Sequence, residues 1–313
     1  MKQIMNQIMA VVSLHIFLCF GQNLQPGSES SPAGGGIICS PQNHITIDVP
    51  SCLENHTVRH IVRKLDRLEV TASAIRQALV EMEGSPSSTQ GKSDTGARSN
   101  HQDCYDVLQG GHSTSGSYII QPDDDLDSFR VYCDMTTDNG GWTVFQRRID
   151  GSMNFFRDWD SYKNGFGHVN AEFWLGNDRL FRLTNQKKYR LRVDMEDMDG
   201  NTAFAVYEYF RIGDELSHYK LVLGPFTGTA GDSMGGHSKT PFSTAERDND
   251  QSQGNCASTY KGGWWYTDCH QSNLNGLYLE GEHSSYANGV NWLTFKGHNY
   301  SLKFTEMKIR PLL

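Results

Sequence analysis

The chain has 313 residues with 37% hydrophobic and 20% charged side chains, an ordinary balance for folded protein with room for one large or two modest domains. Its formal net charge of −8, from 28 basic and 36 acidic side chains, lacks the basic footprint that general nucleic-acid binding needs to displace counterions from phosphate. Its 31 glycines follow no three-residue period, which excludes a collagen stalk, and its seven cysteines are an odd number that a secreted chain must account for.

From Ile8 to Phe20 only Ser13 and His15 are not apolar, with Lys2 before the run and the small Gly21 after it. This reads as a secretory signal over residues 1–21. The alternative is an N-terminal anchor, but such a run spans about 20 Å as helix against a hydrocarbon core of about 30 Å. No other segment is apolar and long enough to span. Cys19 leaves with the signal, and six cysteines remain for an oxidising, extracellular compartment.

Residues 22–52 are rich in Ser, Pro and Gly (GSESSPAGGG) and read as a flexible arm, because so few apolar groups cannot offset the entropy of ordering. A heptad seam follows over 53–83. Val58, Leu65, Ala72 and Leu79 take the a positions, and Ile61, Leu68, Ile75 and Met82 take d. Leu at a with Ile at d favours three or more strands, and Lys64 at g can meet Glu69 at e of a neighbour. The seam therefore predicts a parallel coiled coil and a trimer or higher homo-oligomer; the competing reading is a single amphipathic helix packed on its own domain. Cys39 and Cys52 precede the coil and are candidates for interchain disulfides, or for one local bridge. Gly84, Ser85 and Pro86 stop the helix, and 84–103 is a polar linker.

From Cys104 to Leu313 the composition shifts. All six Trp are here, with short β-rich runs FRVYCDM, WTVFQRR, YRLRVDM and FAVYEYF between Gly/Asn/Asp turns, and a helical stretch near Ala171–Thr184. The expected class is α+β with a mainly antiparallel sheet and short helices.

Six ordered blocks in this region carry a resemblance: Val131–Met135, GGWTVFQRR (140–148), EFWLGND (172–178), GGWWY (262–266), CHQSNLNG (269–276) and MKIRP (307–311). Together they resemble the fibrinogen-related C-terminal domain over residues 104–313, and within it the ficolin and tachylectin lectins for acetylated groups. The resemblance implies disulfides Cys104–Cys133 and Cys256–Cys269, one of three pairings that four cysteines allow.

In the loop 248–256 two carboxylates stand two residues apart, a pattern that suits a hard cation and fits Ca2+. An EF-hand is rejected, since Gln253 stands where Gly is needed and Thr259 where a bidentate Glu is needed. The resemblance implies as ligands the side chains of Asp248 and Asp250 and the main-chain carbonyls of Ser252 and Gly254. The run Asp123–Asp125 has no such context and reads as a solvated turn.

Aromatic residues beside a disulfide make a rigid apolar cleft suited to a sugar ring or an acetyl methyl. The resemblance implies a cis Asp268–Cys269 peptide, with the N–H groups of Cys269 and His270 on the acetyl oxygen. It also implies a methyl pocket lined by Tyr260, Tyr286 and Ala287. His298 stands where a Tyr is usual in the resembled lectins, a departure that bears on acetyl specificity. Trp264 and Trp265 read as core. His270, if it lies in the cleft, would titrate near pH 6–7 and couple binding to pH.

Gly231–Gly235 satisfies G-x-S-x-G, but the preceding apolar strand and following helix of a nucleophile elbow are absent, as is a histidine motif upstream, so no enzyme is expected. Asn55 and Asn299 are glycosylation acceptors. The resulting expectation is a secreted, oligomeric, calcium-dependent lectin for N-acetylated glycans in innate immune recognition. The alternative is an angiopoietin-like or fibrinogen-like ligand for a protein receptor or matrix partner.

Overall fold

The alternating runs of the C-terminal region become strands of one sheet. The computed structural model describes residues 101–312 and, separately, the backbone of two short strands, Ile38–Cys39 and Ile45–Thr46, paired antiparallel. The signal, the coil, the rest of the arm and linker, Cys52 and Asn55 lie outside the described residues.

Seven strands follow one another across the sheet: Leu221–Leu223, Thr202–Ile212, Tyr189–Glu196, Phe304–Pro311, Trp142–Arg148, Phe129–Asp134 and Gly116–Ile120. Every neighbouring pair is antiparallel. Tyr189, Leu191, Val193 and Met195 are buried while the residues between them are half-buried, which is the period of two expected of a strand with one face in the core. The closing MKIRP block is a central strand: Met307 pairs with Gln146 on one side and Val193 on the other, although it ends the chain.

All six Trp are at most 5% exposed, and Trp264 and Trp265 lie wholly inside as expected. Burial of each such side chain contributes roughly 3 kcal/mol. The opposite face of the central strand carries charge instead. The Lys308 ammonium lies 2.6 Å from Asp134, 2.7 Å from Asp194 and 3.1 Å from Glu306, and Glu306 also holds Arg147. Burial works against the Asp134 charge, but Lys308 and Thr137 outweigh it and hold this carboxyl well below the usual carboxylate range. Paired and hydrogen-bonded on all sides, these groups meet the condition under which buried charge is tolerated.

Three expectations need correction. The helix forecast at Ala171–Thr184 runs over Asn177–Gln186 instead, because Phe173–Trp174 pair as a strand with Gln146 and Arg147, and Gly176 turns the chain at φ 109°. The last linker residues belong to the domain: Asp103 caps the helix Cys104–Gln109, accepting from Tyr105 and Asp106 N–H, and its other oxygen accepts the Tyr189 hydroxyl at 2.6 Å. Asp124 is not simply solvated, since Arg182 grips both its oxygens at 2.7 Å. Disulfides join Cys104 to Cys133 and Cys256 to Cys269.

Candidate functional site

The acidic loop is wired to the disulfide-closed segment that follows it. Asp250 Oδ2 accepts the Cys256 N–H at 2.8 Å, Oδ1 accepts the Ser252 N–H at 2.9 Å, and Asp248 Oδ1 accepts the Asp250 N–H at 3.1 Å. The Gln251 N–H donates to the Thr267 carbonyl at 3.1 Å, and Thr267 N–H donates to the Cys269 carbonyl at 2.7 Å. Asn255 caps the short helix Cys256–Tyr260, accepting from Ser258 N–H, and anchors back to the Ala245 carbonyl at 2.9 Å. The Asp268–Cys269 peptide is cis.

The loop's charges suit a cation. Burial, reinforced by the adjacent Asp248 carboxylate, raises the Asp250 pKa even though the Cys256 and Ser252 N–H groups favour its ionised form. Among the described residues neither acid pairs with a basic side chain, and no N–H takes the Ser252 or Gly254 carbonyl. Two facing carboxylates with unclaimed carbonyls are the donor set of a hard cation, so the residues present fit Ca2+.

Beyond the disulfide the rings form a series. Tyr260 meets His270 edge-on at 4.6 Å between ring centres, His270 meets His298 at 5.4 Å, and His298 meets Tyr286 at 5.3 Å. Ala287, buried and at φ 59°, donates its N–H to the His298 carbonyl at 3.1 Å, so this small residue stands where Tyr286 and His298 adjoin. Tyr286 is 63% exposed, which sets the outer end of the series in solvent. The structure thus brings Tyr260, His270, His298 and Tyr286 together as one row of adjoining rings, with Ala287 bonded to the His298 backbone and Asp268 and Cys269 immediately before His270 in the chain.

The expectation that His270 titrates near pH 6–7 is overturned. Burial, with smaller contributions from His237 and His298, pushes its pKa down to about 3. Both ring nitrogens of His270 and Nδ1 of His298 are buried without a well-aligned hydrogen bond, and the Ala287 backbone lies close enough to His270 to favour its protonated form against the burial. His298 is likewise lowered by burial.

Several residues that support the site carry no signal in the sequence. His237 Nδ1 lies 2.8 Å from the Trp265 carbonyl, and its Nε2 accepts the Gln271 N–H at 3.1 Å; the ring is therefore neutral, with the proton on Nδ1. Burial lowers its pKa to about 4. Arg148 reaches from the central sheet and donates to the Leu274 and Gly276 carbonyls at 3.0 and 2.7 Å. Gln146 holds the Leu274 carbonyl at 3.0 Å as well, so the CHQSNLNG block sits on two side chains of the WTVFQRR strand. Asn273 joins the Tyr260 and Gly289 carbonyls while accepting the Tyr266 hydroxyl at 2.7 Å.

Other sequence features fall elsewhere. Ser233 is buried, its hydroxyl 2.8 Å from Thr294 Oγ1, while the nearby His237 commits both ring nitrogens as above. Asn299 is exposed and itself lines a cleft of about 390 Å³, with Glu282, His283, Ser284, Lys296 and Tyr300. Its sequon partner Ser301 is buried and accepts from Val290 N–H at 3.0 Å. Among the described residues no helix is long and apolar enough to cross a membrane.

This fold and site define a fibrinogen-like globe. Residues 100–312 match the family model of the fibrinogen beta and gamma chains, C-terminal globular domain, and the chain belongs to that family. It is 52% identical over 215 residues to Fibrinogen C domain-containing protein 1 of Xenopus tropicalis, covering 67% of this chain and 47% of that protein. It is also 52% identical over 211 residues to Ryncolin-4 of Cerberus rynchops, covering 67% and 61%. The chain thus covers less than two thirds of the length of each of these curated relatives. Among solved structures, the fibrinogen-like globe domain of human ANGPTL2 aligns with TM-score 0.67 at 49% identity, over 67% of this chain and 99% of that one. A lamprey fibrin D-dimer complexed with the peptide Gly-His-Arg-Pro-amide aligns with TM-score 0.64 at 34% identity, over 82% and 88%.

Proposed function

We propose that this chain is a secreted, oligomeric, calcium-dependent lectin for N-acetylated glycans, acting in innate immune recognition. The observation that carries the reading is the series Tyr260–His270–His298–Tyr286 around Ala287, tied through Cys256–Cys269 to the acidic loop. A row of rings closing on a small buried residue suits a sugar face and an acetyl methyl, and the N–H groups of Cys269 and His270 would hold the acetyl oxygen. Asp248 and Asp250, with the carbonyls of Ser252 and Gly254, would hold Ca2+, which supplies the positive charge that the facing carboxylates lack. Its role is support: Asp250 binds the backbone of Cys256 and therefore steadies the segment that presents the cleft. A single shallow site binds weakly, and linked heads on a coiled coil gain about 10²–10⁴ in avidity where target spacing allows.

The test is retention on an N-acetylglucosamine resin in calcium, elution by EDTA, and loss of retention in Asp250→Ala. Failure to bind any acetylated ligand with calcium present sinks the lectin reading. It would favour a protein-binding role, to which the 49% identity with the human ANGPTL2 globe and the peptide-bound lamprey fibrin already lend weight.

A further inference from the structure

We propose that an N-linked oligosaccharide on Asn299 shields the outer end of the ring series, so that attachment at this one position decides whether a head can engage an acetylated surface. The proposal rests on the lectin reading and adds a modification that regulates its site.

Placement carries it. Asn299 Nδ2, the atom that would bear the sugar, lies 3.2 Å from the Ser285 carbonyl and 3.4 Å from that of His283. Ser285 directly precedes Tyr286, and Asn299 directly follows His298. Those two neighbours are the outer rings of the series, 5.3 Å apart. Their segments are paired as well: Gly281 stands opposite Ser301 and Glu282 opposite Tyr300, and the His283 N–H donates to the Asn299 carbonyl at 2.9 Å. Asn299 is exposed and so is Tyr286, so a chain of sugars rooted there projects into the solvent from which a ligand must reach Tyr286. The cleft that Asn299 lines offers the first sugar the Tyr300 ring and the polar groups of Glu282 and Lys296 to lie against.

The serine of the same sequon sets when attachment can happen. Transfer forms a bond from Asn299 Nδ2 to the anomeric carbon of an oligosaccharide, breaks that carbon's bond to a departing lipid diphosphate, and releases one amide proton. The sequon hydroxyl must be open to the transferase for this step. In the folded domain Ser301 is wholly buried; its hydroxyl donates to the Leu277 carbonyl at 3.2 Å and accepts the Leu279 N–H at 3.1 Å and the Val290 N–H at 3.0 Å. Asn299 is therefore modified before residues 277–301 close up or not at all, and its occupancy is set by a race between transfer and folding.

The experiment uses the full-length chain carrying Asn55→Gln, which leaves Asn299 as its one sequon, made in cells that build only high-mannose chains. Mass spectrometry reads the occupancy of Asn299, and endoglycosidase H trims its chain to a single N-acetylglucosamine. Binding to albumin bearing many N-acetylglucosamine groups, with calcium present, is compared for the intact form, the trimmed form and the further variant Asn299→Gln, each shown by its melting curve to be folded. The intact form should bind about tenfold or more weakly than the other two, because a head kept off the surface forfeits linked engagement worth about 10²–10⁴. Affinity for free N-acetylglucosamine, read by NMR of its acetyl methyl, should be the same in all three, since a shield bars a surface and admits a monosaccharide. An unmodified Asn299, equal binding of the intact and trimmed forms, or a matching fall in free-sugar affinity overturns the proposal. If even Asn299→Gln binds no acetylated ligand, the lectin reading itself fails and the shield falls with it, an outcome distinct from equal binding by all three forms.

Discussion

The Asp250 carboxylate accepts the backbone N–H of Cys256 at 2.8 Å, joining the charged loop directly to the half-cystine bridged to Cys269. Its other oxygen accepts Ser252 N–H, so one side chain organises the loop and the segment beyond it.

Calcium should therefore register as stability. For a dissociation constant of about 10⁻⁴–10⁻³ M, about 10 mM Ca2+ adds roughly 1–3 kcal/mol by mass action, read as a rise in melting temperature over EDTA. In Asp250→Ala the rise should vanish. An equal calcium response in the variant would remove the loop as the binding site.

Stability should also fall on mild acidification. His237 and His270 have folded pKa values of about 4 and about 3, below the unfolded value of about 6.5. The unfolded chain therefore takes up protons first as pH drops. The contribution of each neutral ring is complete above pH 6.5 and is lost as pH falls toward the folded value, by roughly 2 kcal/mol per ring at about pH 5. Urea midpoints at pH 7 and 5 should differ less in His237→Gln than in the wild type. Identical differences would mean that His237 takes up its proton equally in both states.

Arg148 ought to matter far from the cleft it supports. It is wholly buried, donates to the Leu274 and Gly276 carbonyls, and lies with its guanidinium carbon 4.0 Å from the centre of the Phe155 ring. Arg148→Met leaves those carbonyls, and the buried Glu172 carboxylate that lies 3.7 Å from the guanidinium, without a cationic partner, a loss of about 3–5 kcal/mol. Retention on the N-acetylglucosamine resin should fall with it. Unchanged urea stability would contradict this account.

At Ala287 the backbone and the pocket pull in opposite directions. Its φ of 59° is left-handed, where a Cβ costs about 1–2 kcal/mol, so Ala287→Gly should hold or slightly raise stability after the added freedom of the unfolded chain is counted. On the proposed lectin reading the same change removes a methyl group from the pocket wall and should weaken binding of an N-acetyl sugar. Ala287→Leu should block binding; sugar affinity equal to the wild type in Ala287→Leu would place the acetyl group elsewhere.

Much of the domain was legible because local rules decide it. WTVFQRR and YRLRVDM are strands by residue type and alternation, and the Trp residues are core by size. The helix after EFWLGND was misplaced because its first residues are claimed by a strand partner far away in sequence, which no local pattern discloses. His237, Arg148 and Asn273 were invisible as site supports for a related reason: each acts on backbone carbonyls or N–H groups, and backbone atoms leave no mark in a sequence.

What the sequence determined by itself is the α+β class, the six family blocks, the two carboxylates and the aromatic residues near the second disulfide, all of them properties of residue type and spacing. Only the tertiary structure decided that the last strand, Phe304–Pro311, lies at the centre of the sheet, and that His270 and His298 meet with buried ring nitrogens. The physical reason is that pairing and burial depend on chain segments far apart in sequence. An imidazole takes its pKa and its partners from whatever those segments place around it.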